Sequence, residues 1–158
     1  MHITESPIRV SEFLGVLPPA SCGAVASFVG VVRNHDHGRA VWKLYYESYR
    51  PMAEKRIGSI IEEAKGRWPV EEIKVLHRVG RLGIGEAAIA VRVSSAHRAE
   101  AFAACEHVVE QIKHTVPIWK NEFFEDGTSE WVLCSGTLGD HEGISRPCGL
   151  EMTPKSQK

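Results

Sequence analysis

Apolar residues return at helical spacing in two stretches of the chain. In residues 52–67, Ala53, Ile57, Ile60, Ile61 and Ala64, with Trp68 just beyond, recur every three or four positions. That spacing marks one buried face of a helix. Pro51 stands where a first-turn proline is tolerated, and Pro69 blocks continuation. In residues 98–116, Phe102, Cys105, Val109, Ile112 and Val116 step by three and four, which predicts a second helix with these side chains on its core face. Pro117 ends it. A short helix capped by Ser11 is predicted to run to Leu17, where Pro18 and Pro19 stop it.

Strand signals fill the gaps. Residues 24–32 are rich in valine and small residues and predict a buried strand. Residues 33–39 are polar, with Gly38, and predict a loop. Residues 41–49 alternate, with Val41, Lys43, Tyr45, Glu47 and Tyr49 on one side and Trp42, Leu44, Tyr46 and Ser48 on the other. Aromatics on both sides predict that both are covered. Residues 73–78 and 87–94 are further strands, joined by a glycine-rich turn at Gly80, Gly83 and Gly85. Residues 118–124 and 130–133 form a predicted hairpin around Asp126-Gly127. The fold class is therefore α+β: a mixed, mostly antiparallel sheet with two long helices packed on it. Residues 1–133 are expected to form a single domain. Residues 134–158 carry Gly136, Gly139, Gly143, Pro147, Gly149 and Pro154 with little apolar periodicity, and are expected to be an irregular tail.

Composition narrows the function classes. The chain has 158 residues, 43% hydrophobic and 25% charged, with a formal net charge of −1. Global charge therefore gives no sign of nucleic-acid binding, and any anion site must be a local cluster. Cys22, Cys105, Cys134 and Cys148 form no CxxC pair, so neither a disulfide framework nor a zinc signature is visible. Residues 1–10 lack the basic-then-apolar design of a signal peptide. No apolar run approaches the roughly 20 residues that span a bilayer. A cytoplasmic location is the expectation.

Cationic side chains collect at element ends, where a fold gathers residues from distant sequence. Arg33 closes the first long strand, His97 and Arg98 open the second helix, and Lys113 and Lys120 flank its end. A helix start presents free N–H groups and partial positive charge, so an arginine there suits phosphate or carboxylate. The same position also fits a solvated helix terminus. An amine among apolar neighbours gives up its proton more readily than a solvated one and can serve as acid, base or anion holder. Spacing alone equally fits lysines that snorkel to water. His77-Arg78 at a strand end reads in the same two ways. His35-Asp36-His37 is the nearest approach to a metal motif and lacks a complete ligand set, so no metal is expected. The sequence has no GxSxG, P-loop or GxGxxG, and no catalytic-cysteine context.

Taken in order, several segments resemble one family. They are Gly23-Ala24-Val25, Phe28-Val29-Gly30-Val31-Val32-Arg33-Asn34, Leu44-Tyr45-Tyr46-Glu47-Ser48-Tyr49 with Met52-Ala53, His77-Arg78-Val79-Gly80, Ser95-Ala96-His97-Arg98 with Ala101-Phe102, and Lys113 with Pro117-Ile118-Trp119-Lys120-Asn121-Glu122. The ordered set is similar to the molybdopterin synthase catalytic (large) subunit family, over residues 23–132. The resemblance implies an α/β-hammerhead type of fold and a catalytic domain at 1–133. It implies a sulfurtransferase that converts cyclic pyranopterin monophosphate into molybdopterin. Two dithiolene sulfurs would come from the C-terminal thiocarboxylate of a small ubiquitin-like partner, with no cofactor. It implies a homodimer core of a heterotetramer, the partner's tail entering a pocket of the large subunit.

The resemblance also assigns residues. Lys113 would lie beside the thiocarboxylate, and Lys120 would contact substrate and stabilise developing negative charge. Arg33, His97 and Arg98 would bind the phosphate and pterin. Asn121 and Glu122 would line the site, Glu122 ordering Lys120 or the pterin. Val31 departs from the pattern, since some relatives carry a basic residue there. The tail after Leu133 matches no pattern. A different class of function stands beside this one: a non-enzymatic binding module for a phosphorylated ligand or ubiquitin-like tail. The same cations would serve it, but simple phosphate capture needs Arg33 and Arg98 more than two lysines.

Overall fold

A computed structural model describes residues 1–133. The expected tail at 134–158 lies outside them. The elements are β1 (Ile3–Thr4), α1 (Val10–Leu14), β2 (Ala24–Val31), β3 (His35–Asp36), β4 (Arg39–Ser48), α2 (Arg50–Arg67), β5 (Val70–Arg78), β6 (Gly80–Gly83), β7 (Ala87–Ser95), α3 (Arg98–Thr115), β8 (Ile118–Phe124) and β9 (Ser129–Leu133). The α+β class stands, with two sheets among the described residues where the sequence suggested one. The first runs β1-β5-β7-β2, antiparallel except for the β1–β5 pair. The second runs β3-β4-β8-β9, and β6 also pairs with β4.

The two long helices cover one face of the first sheet. Ala53, Ile57, Ile60, Ile61 and Ala64 of α2 are buried there, as their spacing predicts. On α3 the buried stripe is Ala101, Ala104, Cys105, Val108, Val109 and Ile112. Phe102, expected on the core face, is 66% exposed. A three-four count fits more than one phase at a helix start, and the alanine stripe one residue earlier lets α3 approach the sheet closely. The N-terminal segment covers the opposite face, with Ile8 buried against Ala87 and Ala90. Beneath it Arg92 is 1% exposed, its Nη1 2.8 Å from Glu72 Oε2 and its Nη2 donating to Val16 O. A guanidinium is held there by a carboxylate and a carbonyl, as a buried charge requires.

Local departures have local causes. Ser11 lies inside α1, capped at Arg9, and the helix stops at Gly15, three residues before the prolines. The strand β2 is less buried than expected: it is an edge strand, with Val25 and Val31 turned outward. In β4 a bulge sets Val41 opposite Phe124 and Lys43 opposite Phe123. Trp42 is the extra residue and projects outward, so Val41 joins Leu44 on the buried side. The simple alternation predicted for 41–49 breaks at that point, and Tyr49 caps α2 instead of ending the strand. The predicted glycine turn after β5 contains the strand β6. Gly80, at φ +89°, makes the left-handed step by which the chain leaves the first sheet for the second. Gly127, at φ +83°, closes the β8–β9 hairpin where Asp126-Gly127 predicted it.

Candidate active site

The two sheets meet at a cavity of about 430 Å³ beneath the C-terminal end of α3. β2 supplies Phe28 and Gly30, the segment after it Arg33, the end of β5 supplies His77, and β7 supplies Ala88 and Ile89. From the second sheet come Val41, Leu44 and Tyr46 of β4 and Lys120 and Glu122 of β8. Lys113, in the last turn of α3, completes the wall. A side chain at Gly30 would bring its Cβ within 2.7 Å of Ile89 Cγ2, so glycine keeps this floor open.

The α3–β8 turn brings the two lysines to one space. Pro117 has no N–H and ends the helix, and Ile118 N–H donates to Val116 O at 2.8 Å to reverse the chain. Val116 and Ile118 are buried on either side, so the core pins the turn. Lys113 lies at the negative end of the helix, where a cation is favoured. Its Nζ stands 5.4 Å from the centre of the Phe28 ring. Among the described residues Lys113 makes no ion pair.

The other charges are paired. Lys120 Nζ lies 2.6 Å from Glu122 Oε1, and Glu122 is 3% exposed. Residues two apart on a strand share a face, which is why these two meet. Arg33 Nη2 lies 2.8 Å from Asp36 Oδ1, three residues further on in β3, and remains largely open to solvent. Three cations thus face two carboxylates, an excess of one positive charge plus two histidine rings, His35 and His77. Such a space favours an anion.

His77, which the sequence leaves open between a site residue and a polar strand end, lies in the cavity wall. Its ring meets Tyr46 edge-on at 5.4 Å. Burial pushes its pKa down to about 4, against a smaller raising influence from the Arg78 carbonyl. The sign of the consequence follows. Above pH 6.5 the ring is neutral whether the chain is folded or not; between 6.5 and 4 only the unfolded chain takes up the proton. Stability should therefore fall as pH drops through that window, by about 3 kcal/mol from this group. Denaturant unfolding of His77→Phe should show a pH 7 to pH 4 loss smaller than wild type by about that amount. Identical losses would contradict the assignment.

Not every predicted residue comes to this cavity. Asn121 points to the other face of β8 from Lys120 and Glu122, and its Oδ1 is buried without a hydrogen-bond partner. His97 and Arg98 are exposed at the start of α3, beside a separate hollow lined by Gly23, Ala24 and Ala96. Fifteen positions separate Arg98 from Lys113, which at about 1.5 Å per residue is roughly 22 Å of helix. Within one chain the two ends of α3 do not share a site.

The fold and cavity define an α+β protein with Arg33, Lys113 and Lys120 gathered around one space between its two sheets. Matching to known proteins makes the family plain. The MoaE protein family matches residues 3–115, and the chain belongs to that family. The molybdopterin synthase catalytic subunit of Thermoplasma volcanium is 40% identical over 131 residues, covering 83% of this chain and 96% of the relative. The crystal structure of molybdopterin synthase from Staphylococcus aureus matches with TM-score 0.77 and 40% identity, over 83% of this chain and 95% of that one. A complex of subunits 1 and 2 of the molybdopterin-converting factor from Helicobacter pylori matches at TM-score 0.66. It covers 79% of this chain and 85% of that one, and at 24% identity its likeness extends to the fold alone.

Proposed function

We propose that this chain is the catalytic subunit of a molybdopterin synthase, a sulfurtransferase that installs the dithiolene of molybdopterin on cyclic pyranopterin monophosphate. Family membership supports the reaction class. The observation that carries the residue roles is the convergence of Lys113, Lys120 and Arg33 on one cavity with an excess of positive charge. The phosphate and the thiocarboxylate are both anions, and both suit that space.

The chemistry asks little else of the chain. Each transfer forms a carbon–sulfur bond on the pterin in place of a carbon–oxygen bond, whose oxygen leaves as water or with the opened phosphate ester, and breaks the carbon–sulfur bond of the thiocarboxylate. Water supplies the oxygen that leaves the partner as a carboxylate. The nucleophilic sulfur arrives on the partner, so the chain needs no cysteine of its own. Cys105 fits that division: burial raises its thiol pKa to about 11, which keeps it unreactive. Lys113 works beside the thiocarboxylate and Lys120 beside the reacting pterin, with Glu122 orienting Lys120. Residues 1–133 are the catalytic unit in this reading.

The partner is a small ubiquitin-like sulfur carrier, on a homodimer core of this chain. Relatives at 40% identity are named as a catalytic subunit, and that name supports a further subunit beside this one. His97 and Arg98 keep their substrate-binding roles only if a second copy presents them, because the length of α3 separates them from Lys113. No helix among the described residues is long and apolar enough to cross a membrane. The reading takes the enzyme to act in the cytoplasm.

The test is conversion of cyclic pyranopterin monophosphate with a thiocarboxylated partner. Dithiolene product should form only when chain and partner are both present. A wild-type protein that binds both and forms none would be the binding module instead.

A further inference from the structure

We propose that His77 is a substrate-positioning residue whose Nε2 accepts a hydrogen bond from an N–H of the pterin held in the cavity. The inference rests on the sulfur-transfer reading above and adds a residue to it. His77 sits at the end of β5 with its backbone fixed on both sides. Its N–H donates to His2 O at 2.7 Å, and it pairs with Ile3 of β1 and Ile89 of β7. The side chain is equally fixed. Nδ1 lies 2.9 Å from Arg78 O, and a carbonyl oxygen only accepts, so Nδ1 carries the proton. The edge-on contact with Tyr46 sets the plane of the ring.

A neutral imidazole with its proton on Nδ1 presents a lone pair at Nε2. Burial keeps the ring neutral well below physiological pH. Nε2 makes no hydrogen bond among the described residues. His77 lines the cavity with 5% of its surface exposed.

The chemistry of the rest of the wall gives this acceptor its meaning. Arg33, Lys113 and Lys120 are donors and recognise anionic oxygen or sulfur. The two carboxylates are engaged already, Asp36 by Arg33 and Glu122 by Lys120. A phosphate or a thiocarboxylate at neutral pH brings no N–H, while a reduced pterin brings ring N–H groups and an exocyclic amine. His77 is thus suited to the heterocycle and to neither anion. A site built to pair with a donor discriminates strongly against ligands that lack it.

The test uses the full chain with its thiocarboxylated partner. His77→Phe keeps a ring against Tyr46 and removes both nitrogens. It should raise KM for cyclic pyranopterin monophosphate about tenfold, as loss of one good hydrogen bond does. The rate at saturation and the affinity for the partner should stay near wild type. His77→Gln, which restores an acceptor near the Nε2 position, should recover most of the loss. An unchanged KM in His77→Phe would overturn the proposal. Equal losses in rate, partner affinity and KM without rescue by Gln would also overturn it, as a packing effect. Wild-type protein labelled with ¹⁵N-histidine supplies a readout that needs no variant: the His77 Nε2 resonance should shift on saturation with the pterin, and an unmoved resonance would refute the contact. Failure of wild type to make dithiolene would sink the sulfur-transfer reading itself. An active wild type with an indifferent His77 would sink only this inference.

Discussion

Lys113→Ala is expected to cut single-turnover sulfur transfer by about 10²–10⁴-fold, the range for loss of a positioned acid or base. Folding should be nearly unaffected. The side chain leaves the end of α3, makes no ion pair among the described residues, and rests only near the Phe28 ring. Truncation strands no buried partner, so the denaturation midpoint should stay close to wild type. Affinity for the thiocarboxylated partner, measured by titration, should weaken far less than the rate. A variant that transfers sulfur at a near-normal rate would remove Lys113 from the chemistry.

Lys120→Ala should lose turnover on a similar scale, by about 10²–10³-fold, as removal of a charge stabiliser does. It differs from Lys113→Ala in its cost to the fold. Glu122 is 3% exposed and has Lys120 Nζ at 2.6 Å. Taking away the amine leaves a buried carboxylate without its cation, a loss of about 3 kcal/mol. The single variant therefore mixes two effects. Adding Glu122→Gln removes the orphaned charge, so the double variant should regain stability in urea unfolding while staying inactive. Recovery of activity along with stability would mean that Lys120 serves the fold and not the reaction.

That coupling shows where sequence reading reached its limit. The positions of Lys113 and Lys120 around a helix-ending proline were legible, and so were both long helices from their apolar spacing. Two features were legible in principle but not drawn. Alternation along β8 sends Asn121 to the face opposite Lys120 and Glu122, so adjacency in sequence argued against a shared site. Helix rise alone separates Arg98 from Lys113 within one chain. Other features depend on packing between distant segments. The bulge at Trp42 reassigns Val41 to the buried side because β8 opposes it, and nothing local marks it. His77 looks like any polar strand end until β1, β7 and Tyr46 close around it.

One experiment bears most directly on the cavity as the place of sulfur transfer. The partner is prepared with a heavy-sulfur thiocarboxylate and mixed with this chain and cyclic pyranopterin monophosphate, and the pterin product is weighed by mass spectrometry. The account predicts a phosphopterin carrying two heavy sulfurs with wild type, and only traces when Lys113 is alanine. A ternary complex that forms with wild type, yet leaves the pterin free of heavy sulfur, would contradict it.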